Sequence, residues 1–157
     1  MRLKLLVVGR TDVDWVREGL EMYSSRLRRY VPFEVLEIPL PKDSASWPRE
    51  RIKDREGELI LKKLSDGDRL ILLDERGKEF RSVDFARELE KRMSGIGKDI
   101  VFAIGGAWGF SEAVYSRSDG MLSLSRMTFP HQLVRVVFAE QLYRAFTIIK
   151  GEPYHHE

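Results

Sequence analysis

The chain has 157 residues, 43% hydrophobic and 33% charged, with a formal net charge of +2 and no cysteine. That is enough chain for one domain with its own core, 1–157, and too apolar a chain to be disordered. Disulfides, thiolate nucleophiles and cysteine metal sites are excluded, a cytoplasmic setting fits, and the small net charge allows a polyanionic partner without requiring one.

"MRLKLLVVGR" has too short an apolar run for a signal peptide, and no stretch approaches the roughly 20 apolar residues of a membrane span. Leu3 to Val8 reads instead as a buried strand ended by Gly9. Asp14 is placed to cap a helix with Val16, Leu20, Tyr23, Leu27 and Tyr30 inward, stopped by Pro32. Phe33 to Ile38 is a second strand. "PLPKDSASWP" is a loop with three prolines. A charged helix follows over Arg49 to Leu64, with Ile52, Leu59, Ile60 and Leu64 inward. Arg69 to Leu73 is a third strand, and Asp74 to Lys78 turns around Gly77. Ser82 caps a helix carrying Phe85, Ala86, Leu89 and Met93. Ile100 to Ile104 is a fourth strand and Met121 to Leu124 a fifth. Thr128 and Pro130 then open a long helix, His131 to Ile149. Strand and helix alternate, which predicts an α/β fold: a parallel sheet flanked by helices on both faces.

The last helix carries apolar side chains nearly all round: Leu133, Val134, Val136, Val137, Phe138, Leu142, Ala145, Phe146, Ile148 and Ile149. A surface helix needs only one apolar stripe. Either this helix is central to a monomer, or a second copy of the chain covers it. The small domain favours the homodimer.

Three segments hold candidate chemistry. "FAIGGAWGF" (102–110) runs a strand straight into glycines, so that a backbone can approach something closely. It lacks the dinucleotide spacing G-x-G-x-x-G, and the chain has no G-x-x-x-x-G-K-[ST]. A ligand without a phosphate chain fits, as does a tight turn with Trp108 packed down. "SLSRMTFPHQ" (123–132) lies after the fifth strand, at the carboxyl end where open α/β sheets bind ligands; simple helix capping is its other reading. "GEPYHHE" offers His155 and His156 near neutral pH, although on spacing alone it reads as a frayed end or a tag. Adjacent histidines with no H-E-x-x-H do not suggest a metal. "RLRR" (26–29) and "RERIKDR" (49–55) can meet phosphates, but more often such runs are solvated helix faces.

Taken together, Leu72-Leu73-Asp74, "IGGAWG", "LSLSRMTFPHQLVRVVFAEQLYRAF" and "GEPYHHE" closely resemble the ribosomal RNA large-subunit methyltransferase H family over the whole chain. These enzymes methylate N3 of a pseudouridine in 23S ribosomal RNA and belong to the SPOUT class. The resemblance implies an α/β domain with a C-terminal trefoil knot and a homodimer. It implies S-adenosyl-L-methionine held by Leu73, Gly105, Gly106 and the segment Leu124, Ser125, Arg126, Met127, Thr128 and Phe129. It also implies that His155 acts at the base as proton acceptor or cationic stabiliser, with Tyr154 stacking on the base or anchoring the tail and Arg144 beside them. The tail would reach the other subunit's cleft. Arg135, like Arg144, is a candidate for contacting RNA or pairing across the dimer. Where the family often has arginine, this chain has His156. No metal and no membrane are expected. With so few net cations, the partner is expected to be 23S ribosomal RNA within the large subunit or 70S ribosome rather than naked RNA. A catalytically silent ribosome-assembly factor and a nucleoside-binding regulator are the competing readings.

Overall fold

A computed structural model describes residues 1–95 and 97–156. In chain order it contains β1 (Leu3–Val8), α1 (Asp14–Leu27), β2 (Phe33–Ile38), a 3-10 turn at Ser44–Ser46, α2 (Arg49–Lys62), β3 (Arg69–Glu79), α3 (Ser82–Met93), β4 (Ile100–Ile104), α4 (Glu112–Arg117), β5 (Gly120–Ser123) and α5 (Leu133–Ile149). The strands form one sheet in the order β2-β1-β4-β3-β5, with every neighbouring pair parallel. The expected α/β architecture is present. No helix is long and apolar enough to cross a membrane.

The two-residue period of a strand divides the core. Leu3, Leu5, Val7, Ile71, Ile100, Phe102 and Ile104 point to one face, where they meet α1, α3 and α5. Leu6, Val8, Leu70, Leu72, Val101 and Ala103 point to the other, against Ile60 of α2 and Val114 of α4. Strands buried on both faces read as continuous apolar runs, as "LLVV" and "IVFAI" do. Phe138 of α5 lies fully buried with its ring 4.8 Å from that of Phe102. Truncating it to alanine is expected to cost about 3–5 kcal/mol.

Several local expectations are corrected. Asp14, Ser82 and Thr128 are not caps: α1, α3 and α5 start after Val13, Arg81 and Gln132, none of which supplies a side-chain cap bond. Asp14 instead pairs with Arg17 at 2.5 Å, and the Ser82 hydroxyl donates to Gln141 on α5. α1 ends at Leu27, well before Pro32. Residues 74–77 do not simply turn. They loop out of β3, which then rejoins β5 with Lys78 opposite Leu122 and Glu79 opposite Ser123. Gly77 permits this because an added Cβ would sit 2.6 Å from the Leu122 nitrogen. α4 was not expected. Ser111 caps it, its hydroxyl accepting from the Val114 amide.

α5 packs between α1 and α3, and Gly19 of α1 lets Val136 come close. Leu133, Val136, Val137, Ile148 and Ile149 remain partly exposed. Arg135 is the largest fully buried side chain of the helix, at 1% exposure. Its guanidinium donates to the Val8 carbonyl (2.9 Å), the Gly9 carbonyl (3.1 Å), the Thr11 hydroxyl (2.7 Å) and the His131 carbonyl (3.2 Å). It therefore ties the end of β1 to α5 and is not available to RNA or to another subunit. Burial pulls its pKa down, while Glu37 and Asp12 oppose that.

Candidate functional site

Leu73 of β3 stands in register with Ile104 of β4 and Leu122 of β5. Three adjacent strands therefore end side by side, and the chain diverges from each of them. The gap they leave is a cleft of about 630 Å³. Its floor is the strand ends, one wall is 105–110, another 74–76, and the third 123–129 with His131 and Val134 at the start of α5. Of the residues expected to hold a donor, Leu73, Gly105, Gly106, Leu124, Ser125, Met127, Thr128 and Phe129 border this cleft. Arg126 does not: its side chain is turned outward to Glu79, 3.0 Å away, and is 90% exposed.

The glycine loop has a different reason for its composition than ligand clearance alone. An added Cβ on Gly105 would lie 3.2 Å from the Phe110 ring, and one on Gly106 would lie 2.7 Å from both carboxylate oxygens of Glu56. The two glycines admit the protein's own side chains from behind. Gly109 takes φ +83°, and its amide bonds the Gly106 carbonyl at 3.1 Å, closing a tight turn. The turn does not pack Trp108 down. The indole is 47% exposed and carries the Arg49 guanidinium 4.2 Å from its centroid.

Sequence reading missed three groups at the cleft. Glu56 is 3% exposed behind Gly106, its Oε1 makes no hydrogen bond, and burial raises its pKa. A signal for it exists: Ile52, Glu56 and Ile60 recur every four residues, which puts a carboxyl on the inward face of α2. Tyr115 of α4 donates its hydroxyl to Asp74 in a very short hydrogen bond. Burial alone would raise the Asp74 pKa. Bonds from Tyr115 and from the Arg76 amide and guanidinium outweigh that, so Asp74 is held below the usual carboxylate range. Burial, and the bond to Asp74, raise Tyr115 in turn. Lys53 also borders the cleft and pairs with Glu50 at 3.5 Å.

Tyr154, His155 and Arg144 gather elsewhere, at the far end of α5. Arg144 Nη1 lies 3.1 Å from His155 Nδ1, its guanidinium sits 4.8 Å from the Tyr154 ring centroid, and Glu140 holds it at 2.7 Å. A guanidinium has only donors, so Nδ1 must accept and the ring proton resides on Nε2. In that tautomer the N–H is at Nε2, which is buried in this chain. Burial raises the Tyr154 phenol to about 12, helped by a bond to Tyr23. The last tail residue, Glu157, lies outside the described residues. Among the described residues, no group of three or more His, Asp or Glu is arranged to hold a metal ion.

A parallel sheet whose carboxyl ends open into a cleft, rimmed by a glycine turn and a long strand-to-helix loop, defines an α/β protein with a cleft of small-molecule size. The family model described as "Predicted SPOUT methyltransferase" matches residues 1–155. A protein of Parabacteroides distasonis named "Ribosomal RNA large subunit methyltransferase H" is 50% identical over 157 residues, all of both chains. One of the same name from a Geobacter species is also 50% identical over the full length of both. A solved SpoU methyltransferase, AviRb from Streptomyces viridochromogenes, is 14% identical with a TM-score of 0.48, over 96% of this chain and 61% of that one. The chain belongs to the SPOUT methyltransferase family.

Proposed function

We propose that this chain methylates N3 of a pseudouridine in 23S ribosomal RNA, within the large subunit or the 70S ribosome, with S-adenosyl-L-methionine as donor. The observation that carries the reading is that Leu73, Gly105, Gly106, Leu124, Ser125, Met127, Thr128 and Phe129 border one cleft, all in segments that the full-length resemblance assigns to the donor. The fit is good. A volume near 630 Å³ falls in the range of small-molecule sites, roughly 300–1,000 Å³. The lining mixes apolar side chains (Leu73, Ile104, Leu122, Phe129) with hydroxyls (Ser125, Thr128) and a carboxyl held ionised (Asp74). Apolar walls suit an adenine, and the carboxylate and hydroxyls suit a methionine's polar end. The bound donor would supply an electrophilic methyl on a sulfonium.

The protein's share is to hold the acceptor, exclude water and help N3 lose its proton. The N3 proton would leave to solvent as the methyl is transferred, and His155 Nε2, buried in this chain, would on presentation of the tail donate to an imide carbonyl beside N3 and stabilise the charge that remains. Arg144 fixes that tautomer, and Tyr154 packs against Arg144 so that the tail holds its course.

Arg144 lies ten residues beyond Val134 on α5, about 15 Å along the axis. The tail is thus remote from its own chain's cleft, and a homodimer that presents it to the partner's cleft makes each site composite. The partly exposed apolar side chains of α5 support such a pairing. The trefoil knot and a single domain over 1–157 belong to the same reading.

The test is a methylation assay on ribosomes carrying either pseudouridine or uridine at the target, with light scattering on the same sample. Methyl transfer only to the pseudouridine ribosomes, by a dimer, is expected. No transfer to either would leave a silent assembly factor, and equal transfer to both would remove the pseudouridine specificity.

A further inference from the structure

Seven surface arginines, Arg17, Arg28, Arg55, Arg87, Arg92, Arg117 and Arg126, have a carboxylate within 4 Å. Arg49 and Arg51 do not. Among the described residues neither has an acidic partner, and each lies over an indole instead. The Arg49 Cζ is 4.2 Å from the centroid of Trp108, and the Arg51 Cζ is 3.8 Å from that of Trp47. Both arginines are exposed in the first turn of α2. Trp108 is 47% exposed and borders the cleft, and Lys53, one turn further along α2, borders it too.

A guanidinium stacked on an indole keeps its in-plane N–H groups available to a phosphate, while its outer face, like that of a ring, accepts a flat partner. Two such stacks on one helical turn carry two cations without an acidic partner and two extended π surfaces. Flat, anionic and unpaired describes a single-stranded nucleic acid. The basic run 49–55 is therefore not one solvated face. Arg55 is neutralised by Glu58 at 2.8 Å and Lys53, which borders the cleft, pairs with Glu50 at 3.5 Å, whereas Arg49 stacks on Trp108 at the cleft's edge and Arg51 on Trp47.

We infer that Trp108 with Arg49, at the edge of the cleft, and Trp47 with Arg51, on the same first turn of α2, form a stacking platform for the single-stranded RNA nucleotides that flank the target base. The inference rests on the methyltransferase reading for the identity of that base, but the platform's affinity for RNA can be measured without it. Stacking on such surfaces is sequence-tolerant, and the arginines would engage about two phosphates.

The experiment uses the full chain, a fluorescein-labelled single-stranded uridine-rich RNA, and whole ribosomes. For Arg49→Ala/Arg51→Ala, anisotropy should show RNA affinity down about tenfold. The slope of log affinity against log salt should flatten by about 1.4, or about 0.7 for each phosphate that is no longer neutralised. Arg49→Lys/Arg51→Lys should recover the salt slope but not the full affinity, because lysine keeps the charge and loses the planar stack. With ribosomes, KM should rise for the alanine pair while kcat and donor affinity by calorimetry stay at wild-type values. Unchanged RNA affinity, salt slope and KM would overturn the platform. So would a KM defect on ribosomes with no loss of RNA affinity, which would mark the rim as a protein-docking surface. If wild-type chain methylates no ribosome yet its RNA affinity falls in the alanine pair, the platform stands and the methylation reading fails.

Discussion

Arg144 Nη1 lies 3.1 Å from His155 Nδ1, and because a guanidinium can only donate, this contact favours the imidazole's proton on the opposite nitrogen. The tail histidine is thereby organised as a donor. His155→Ala should lower methyl transfer about 100-fold, the usual effect of deleting one donor aimed at developing charge, with donor binding intact. His155→Gln should restore part of the rate, because its amide supplies an N–H. Single-turnover assays of both variants decide the point: glutamine no better than alanine would return His155 to the role of proton acceptor.

Gly106 and Glu56 share a space that holds only one of them at larger size. Gly106→Ala should destabilise the fold by about 2 kcal/mol, as overpacking does in a closed site. In a Glu56→Ala background the same change should cost much less, since the oxygens 2.7 Å from the new Cβ are gone. Urea denaturation of the four proteins of this cycle measures the coupling. Gly105→Ala should be milder, with its nearest neighbour a ring edge 3.2 Å away.

The Glu56 carboxyl also predicts a pH dependence. Burial raises its folded-state pKa above the ordinary value of 4.5. A group with a raised folded pKa contributes stability that is fully present below the unfolded pKa and lost as pH rises through the folded one. Glu56→Gln removes that dependence. The variant's melting temperature should gain on wild type as pH climbs from about 4.5 toward neutrality. A gap that does not widen over this window would mean that the folded carboxyl ionises as readily as the unfolded one.

Arg135→Ala should be among the most damaging single changes. It strands the carbonyls of Val8, Gly9 and His131 and the Thr11 hydroxyl. Bonds from a charged donor count for about 1.5–3 kcal/mol each, so a loss of about 3 kcal/mol or more is expected. Arg135→Lys should recover little, because an ammonium cannot span four acceptors in a fork. Chemical denaturation followed by circular dichroism reads both.

Much of this fold is legible because buried parallel strands announce themselves. "LLVV" and "IVFAI" have no other reading, and their alternation with helices implies the sheet. The cleft is legible as three strand-end segments, of which only Arg126 turns away. What escapes is whatever depends on groups far apart in the chain. Asp74 to Gly77 looks like a plain turn, since nothing local says that β3 will rejoin β5 at Lys78. α4, of six residues, is too short for periodicity, although Ser111 before "EAVYS" is a usable cap signal. Asp14, Ser82 and Thr128 look like caps by residue type, while Arg17 claims Asp14 and Gln141 claims Ser82. Arg135 looks like surface chemistry because its four acceptors come from the end of β1 and the loop before α5.

The rejoining of β3 with β5 has a mechanical consequence. Residues 74–77 are clamped by sheet pairing on both sides, with Gly77 pressed against the opposite main chain, so that side of the cleft is a fixed sill. The facing segment has no such anchor: Met127 is 80% exposed, and the Arg126–Glu79 bridge across to the sill is solvent-borne. The two sides of the cleft are therefore held unequally, the sill by paired main chain and the 124–129 side by local bonds of the Ser123 and Ser125 hydroxyls.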